Sequence, residues 1–110
     1  MIVNTGKEAL ATTMASTYTK VKVGNGGDDT AASQSALDSF VAEKTVTPSV
    51  IGSQLVWTAT FTGAELGTQG VSELGIFDTS NTLLSRVTFT NTGVVASADT
   101  VTFTIRVEVD

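Results

Sequence analysis

Three carboxylates, Glu65, Glu73 and Asp78, are the acids nearest the central part of the chain that reads as strands. A pair of carboxylates at a suitable separation is the machinery of glycoside hydrolysis. Sugar clefts, however, are usually lined by aromatic rings, and this chain has one Trp and one Tyr. Nucleophilic catalysis is poorly served, because a nucleophile needs a base beside it. The sequence holds no His and no Cys, so the commonest general base, the commonest metal ligand, thiolate chemistry and disulfides are all missing. No Ser-x-x-Lys or Gly-x-Ser-x-Gly string occurs. The reading is a protein with no catalytic residues and no cofactor.

The other chemistry-bearing stretch is Gly24-Asn25-Gly26-Gly27-Asp28-Asp29. A phosphate-cradling loop needs a following Lys-Ser/Thr, which is absent. A calcium loop needs alternating oxygen ligands closed by a glutamate. Asn25, Asp28 and Asp29 do not keep that spacing, and Asp38 is a distant fourth donor. The expectation is a surface turn, with a divalent cation as the alternative. Glu73 differs from the other acids: it directly precedes apolar Leu74, which points to partial burial and a capping or interface contact.

The elements that must position these residues are mostly strands. Threonine, with twenty of the 110 residues, favours extended structure. Alternation marks strands at Tyr18–Val23, at Gln54–Thr62 (Leu55, Trp57, Ala59 and Phe61 on one face) and at Thr100–Val109 (Val101, Phe103, Ile105, Val107 and Val109 on one face). Further strands are expected at Lys44–Val50, an edge because of Pro48, at Val71–Phe77 with Leu74 and Ile76 inward, and at Thr82–Thr90. Segment 31–42 reads as a loop with a helical turn, since Leu37, Phe40 and Val41 have helical spacing. One helix is expected at about 5–14, with Asn4 or Thr5 as N-cap and Ile2, Leu10 and Met14 as its buried side. The sum is a single mostly β domain over residues 1–110: an antiparallel β-sandwich of about six strands with one short N-terminal α-helix.

Charge and hydropathy narrow the partners. The net charge of −5 disfavours nucleic acid, which needs a basic patch. No apolar run reaches the length of about 18–20 residues that spans a bilayer, so no membrane is expected. Met1-Ile2-Val3-Asn4 lacks a signal-peptide start, so use without classical export is expected. The Thr- and Val-rich strand faces would be a hazard on a free monomer and a docking surface in an assembly.

Several strings then align in order. Asn4-Thr5-Gly6-Lys7-Glu8-Ala9-Leu10 opens the chain, followed by Val23-Gly24-Asn25-Gly26-Gly27. Ser72-Glu73-Leu74-Gly75-Ile76-Phe77-Asp78 comes next, and then Thr82-Leu83-Leu84-Ser85-Arg86-Val87-Thr88-Phe89. This order resembles the N-terminal module of phage tail-collar fibre proteins, and small tail-associated virion proteins of tailed phages and archaeal tailed viruses. In those modules a "T-N-x-G" opening precedes a helix, a "V-G-x-G" turn follows, and "E-L-G-L-Y-D" leads into "G-x-L-x-A". The typical proline after the glycine turn is absent here, and no fibre shaft follows, as in an anchoring module standing alone.

The resemblance implies assembly: a virion structural protein of the tail, baseplate or fibre attachment, or alternatively a capsid decoration protein. Its partners would be other virion proteins and copies of itself in a trimer or ring, and its place the virion, after assembly in the host cytoplasm. Glu73, Gly75, Asp78, Gly24 and Gly26 are the motif residues, with structural or interface roles. Gly75 would admit a close backbone or ring, and Asp78 would cap the following turn. A reading from another class is a carbohydrate- or ligand-binding sandwich, using loops 25–30 and 91–99.

Overall fold

A computed structural model describes residues 1–27 and 31–110. The elements are α1 (Asn4–Thr17), β1 (Lys20–Gly24), β2 (Phe40–Thr45), β3 (Ser49–Ile51), β4 (Gln54–Thr62), β5 (Glu73–Phe77), β6 (Leu83–Thr88) and β7 (Thr100–Glu108). Two antiparallel sheets form. One has the order β2-β1-β5-β6, the other β3-β4-β7. The expected antiparallel sandwich with one N-terminal helix is what the chain builds, with seven strands among the described residues.

The inter-sheet core follows directly from alternation. Val21 and Val23 of β1 and Leu74 and Ile76 of β5 face Leu55, Trp57, Ala59 and Phe61 of β4, and all are buried together with Leu66 and Val71. Each large side chain among these contributes about 1.5–3 kcal/mol relative to exposure. Trp57 lies wholly in this core, and its indole Nε1 donates to the Tyr18 carbonyl at 2.8 Å. That bond ties the end of α1 to the sheet.

Three expectations are corrected. First, α1 begins at Asn4, with extended Val3 in the cap position and no side-chain cap bond. Its buried residues are Ala11 and Ala15, while Ile2 and Leu10 are 47% and 45% exposed and Met14 is partly buried. Small alanines let the helix axis lie close to β3 and β4, which longer side chains would prevent. Its hydroxyls are satisfied locally: Thr12, Thr13 and Thr17 donate to the carbonyls four residues back.

Second, no helical turn forms at Leu37–Val41. Phe40 and Val41 open β2, which pairs with β1 across a register shift at Val23/Gly24. Third, Lys44–Val50 is not one strand. β2 ends at Thr45 as an edge of the larger sheet, and β3 starts at Ser49 as an edge of the smaller one. Pro48, buried between them, cannot donate to a ladder, and the chain changes sheet there. β3 and β4 form a hairpin, with Ser49 opposite Val56 and Ile51 opposite Gln54.

Candidate functional site

The polar centre of the molecule lies on the outer side of the larger sheet, where residues 25–27 and 31–39 lie over β5. Every residue of β5 is buried, because its Leu74 and Ile76 face the inter-sheet core and its Glu73, Gly75 and Phe77 face the loop. Glu73 is 0% exposed. Its Oε2 accepts from the backbone N–H of Gly26 at 2.9 Å and of Ser39 at 2.7 Å. Its Oε1 accepts from the N–H of Asp38 at 2.9 Å and from Arg86 Nε at 2.9 Å. The donors span both ends of the loop, so one carboxylate closes it.

Arg86 completes the clasp. Glu73 sits opposite Thr88 and Gly75 opposite Arg86, so the ion pair crosses diagonally from β6 to β5. The Arg86 side chain is 3% exposed. It also donates to Gln34 Oε1, to the Gly27 carbonyl at 2.9 Å, and to Asp38 Oδ2 at 3.2 Å. Gln34 in turn donates to Asp38 Oδ1. Ser72 Oγ donates to the Gly26 carbonyl, and Asn25 N–H to the Ser39 carbonyl.

Burial acts to raise the Glu73 pKa. The N–H groups of Asp38 and Ser39, then Arg86 and Gly26, outweigh it and hold the carboxyl below 4.5. A carboxylate that already accepts four such bonds has little remaining capacity to take a proton from a substrate.

The structure brings Gly24 and Gly26 to Glu73 and leaves Gly75 and Asp78 outside the clasp. Gly24 pairs with Glu73 across β1–β5, and a Cβ there would meet the Ser39 backbone and the Glu73 carboxylate. A Cβ on Gly26 would collide with Asp38 and Glu73. The expected role of Gly75 holds: a Cβ there would lie 2.7 Å from the Phe77 ring and 3.0 Å from Leu37. Leu37, Phe77 and Leu83 thus form a small second core under the loop. Lys22 Nζ stands 4.5 Å from the Phe77 ring centroid and donates to Asn81 Oδ1. Asp78 caps its turn as expected, accepting from the N–H of Ser80 and Thr82.

Glu65 is separate again. It exchanges bonds with Thr62 and pairs with Lys44 at 3.1 Å, and the Thr62 N–H, then Lys44, lowers its pKa. The three acids therefore serve three different local structures. Asp28 and Asp29 of the candidate cation turn lie outside the described residues. Among the described residues no group of three acids gathers. Asn25 donates its amide to Gln69, and Asp38 faces Arg86. No helix is long and apolar enough to cross a membrane among the described residues.

Arg86, Asp38, Ser39 and Gln34 carry the site without having been singled out as its members. Arg86 left one signal: a lone cation in a strand-forming segment, 13 residues after a lone acid in another. A comparison with protein-family models finds no match for this chain, and a comparison with curated proteins finds none either.

Proposed function

We propose that this chain is a structural component of a tailed-virus particle: an assembly or adaptor module of the tail, baseplate or fibre attachment. It works as a homo-oligomer bound to other virion proteins, with the virion as its place. One observation carries the reading. In Glu73–Asp78, the string on which the resemblance rests, every side chain goes into internal architecture. Glu73 closes a loop, Gly75 admits a ring, and Asp78 caps a turn. What the molecule then offers to others is shape: sheet edges, a threonine-covered outer face and loop 91–99. That is the equipment of an assembly part.

The test is quantitative mass spectrometry on purified particles of the encoding virus, with antibody labelling in electron micrographs. A fixed stoichiometric copy number, with label on the tail, supports the reading. Label over the capsid shell would move the protein to surface decoration. Abundance in infected cells with absence from particles would overturn the virion assignment.

A further inference from the structure

The four outer edges of the two sheets are not alike. β3 is three residues long, and β2 carries Glu43 and Lys44 in ion pairs and runs into Pro48. β6 has a register shift against β5 near its start and carries the clasped Arg86. β7 is neither short nor bulged nor run into a proline, and its only charges, Arg106 and Glu108, lie near one end. It is nine residues long, contains no Gly or Pro, and has a regular ladder on β4 from Thr100 to Glu108. No described strand occupies its other side. Short strands, inward charges, prolines and bulges are how edges are normally blunted.

The backbone parity of this edge is fixed by its neighbours. Val109 N–H donates to the Ser53 carbonyl, and Gly63 N–H to the Asp99 carbonyl. Odd-numbered residues of β7 therefore turn their N–H and C=O toward β4. The even ones, Thr100 through Glu108, turn theirs outward. On the outer face these same residues include Arg106 and Glu108, both exposed. Among the described residues neither has an ion-pair partner. On the inner side Ile105, Val107 and Val109 are only partly buried.

We propose that β7 pairs antiparallel with β7 of a second copy about a twofold axis at Val107. Charge selects this arrangement. A parallel in-register pair sets Arg106 beside Arg106 and Glu108 beside Glu108; an antiparallel pair centred on Arg106 sets the two arginines opposite each other, and one centred on Glu108 sets the two glutamates opposite each other. Like charges directly opposite each other destabilise a sheet. Centring on Thr104 leaves both charges facing threonines. Centring on Val107 sets Arg106 of each copy opposite Glu108 of the other, twice. It also sets Val107 opposite Val107 and Ile105 opposite Val109, so apolar meets apolar on the inner side. Exposed Met1, Ile2 and Val3 share a surface hollow with Asp110, at the end of β7 that this register brings to the junction. The contact deepens the assembly reading and rests on it for its purpose, and it is measurable on the isolated chain.

The absence of cysteine makes the test direct. Single-cysteine variants at Phe103, Thr104, Ile105 and Val107 are oxidised mildly and read as disulfide dimers. Val107→Cys crosslinks, because residue 107 meets its own copy in a closely spaced pair of the kind a disulfide can bridge. Ile105→Cys does not, since the two copies of residue 105 lie four positions apart, about 13 Å. In sedimentation, R106E weakens self-association about tenfold or more, and R106E/E108R restores it. A strict monomer, the strongest crosslink at 103, 104 or 105, or no rescue by the double charge reversal overturns the proposal. A crosslinking chain absent from particles would leave this contact standing and remove the virion reading. A particle protein that does not crosslink would do the reverse.

Discussion

The two sheets treat their outer faces in opposite ways. In the larger sheet the central strand β5 is covered twice, by the core on one side and by residues 25–27 and 31–39 on the other, so Glu73, Gly75 and Phe77 are as buried as Leu74 and Ile76. The smaller sheet is covered once. Outward Thr58, Thr60, Thr102 and Thr104 are exposed, and inward Leu55, Trp57 and Phe61 are buried. The difference comes from what each connection offers. Loop 25–39 presents backbone N–H groups that one buried acid can gather. The loops around β4 and β7 close hairpins and crossings and leave the threonine face to solvent. A polar residue on β5 beneath the loop therefore belongs to the interior, and one on the outward face of β4 or β7 belongs to the surface.

Breaking the clasp has the largest expected effect. Glu73→Ala takes from Arg86 its buried carboxylate, leaving it the more exposed Asp38, and orphans three backbone N–H groups. Removing one partner of a buried ion pair costs about 3–5 kcal/mol, a large share of the 5–15 kcal/mol that typically holds a domain together. Urea melts of E73A and R86A measure it. Each falls well below the parent, with E73A the worse because it orphans more donors. A loss under about 1 kcal/mol in both, the range of exposed pairs, would show that the loop is held by its apolar contacts instead.

Acid tests the same clasp without mutation. The Glu73 carboxyl lies below its ordinary value in the folded chain. Its stabilising contribution is complete above about pH 4.5, the unfolded value, and is lost as pH falls through the lower folded value. Amide resonances of Gly26, Asp38 and Ser39 should shift together in that acid window, while those of Trp57 and Ile105 stay still. Independent titration of the three would mean that they do not report one carboxylate.

A smaller loss separates the sheets by steric room. Gly24→Ala places a methyl against the Ser39 backbone and Glu73, an overpacking change that costs about 1–3 kcal/mol. Thr58→Ala on the exposed face of the smaller sheet should stay within about 0.5 kcal/mol. Equal losses in denaturant melts would remove the contrast.

How far the sequence reveals this depends on where each partner lies. β4 is read at its observed ends because strict alternation over Gln54–Thr62 records one wet and one dry face. β7 alternates equally well, and for the same reason. Within segment 31–42 the helical turn is misread where β2 begins at Phe40, because β2 is an edge with a weak pattern and helical spacing among three apolar residues looks the same there. Pro48 correctly marks an edge, while the change of sheet at that point has no local signature. Glu73 stands out as an acid against apolar neighbours. Its donors do not, because Gly26, Asp38 and Ser39 contribute backbone N–H groups, which every residue except proline has. They also lie 34 to 47 residues away.

The finest distinction lies in a pair that spans two strands as Glu73 and Arg86 do, but in water. Thr60 and Thr102 face each other on the outer side of the smaller sheet, with hydroxyls 2.9 Å apart. Theirs is a position where the backbones do not bond each other, so the side chains approach closely. A cross-strand threonine pair contributes about 0.2–1 kcal/mol. A double-mutant cycle with T60A, T102A and the double variant should return a coupling in that range, since either hydroxyl can bond solvent once its partner is gone. The same cycle on Glu73 and Arg86 should return several times more, because there water does not replace the missing partner. Two couplings of similar size would mean that water reaches the clasp, and β5 would then have one dry face rather than two.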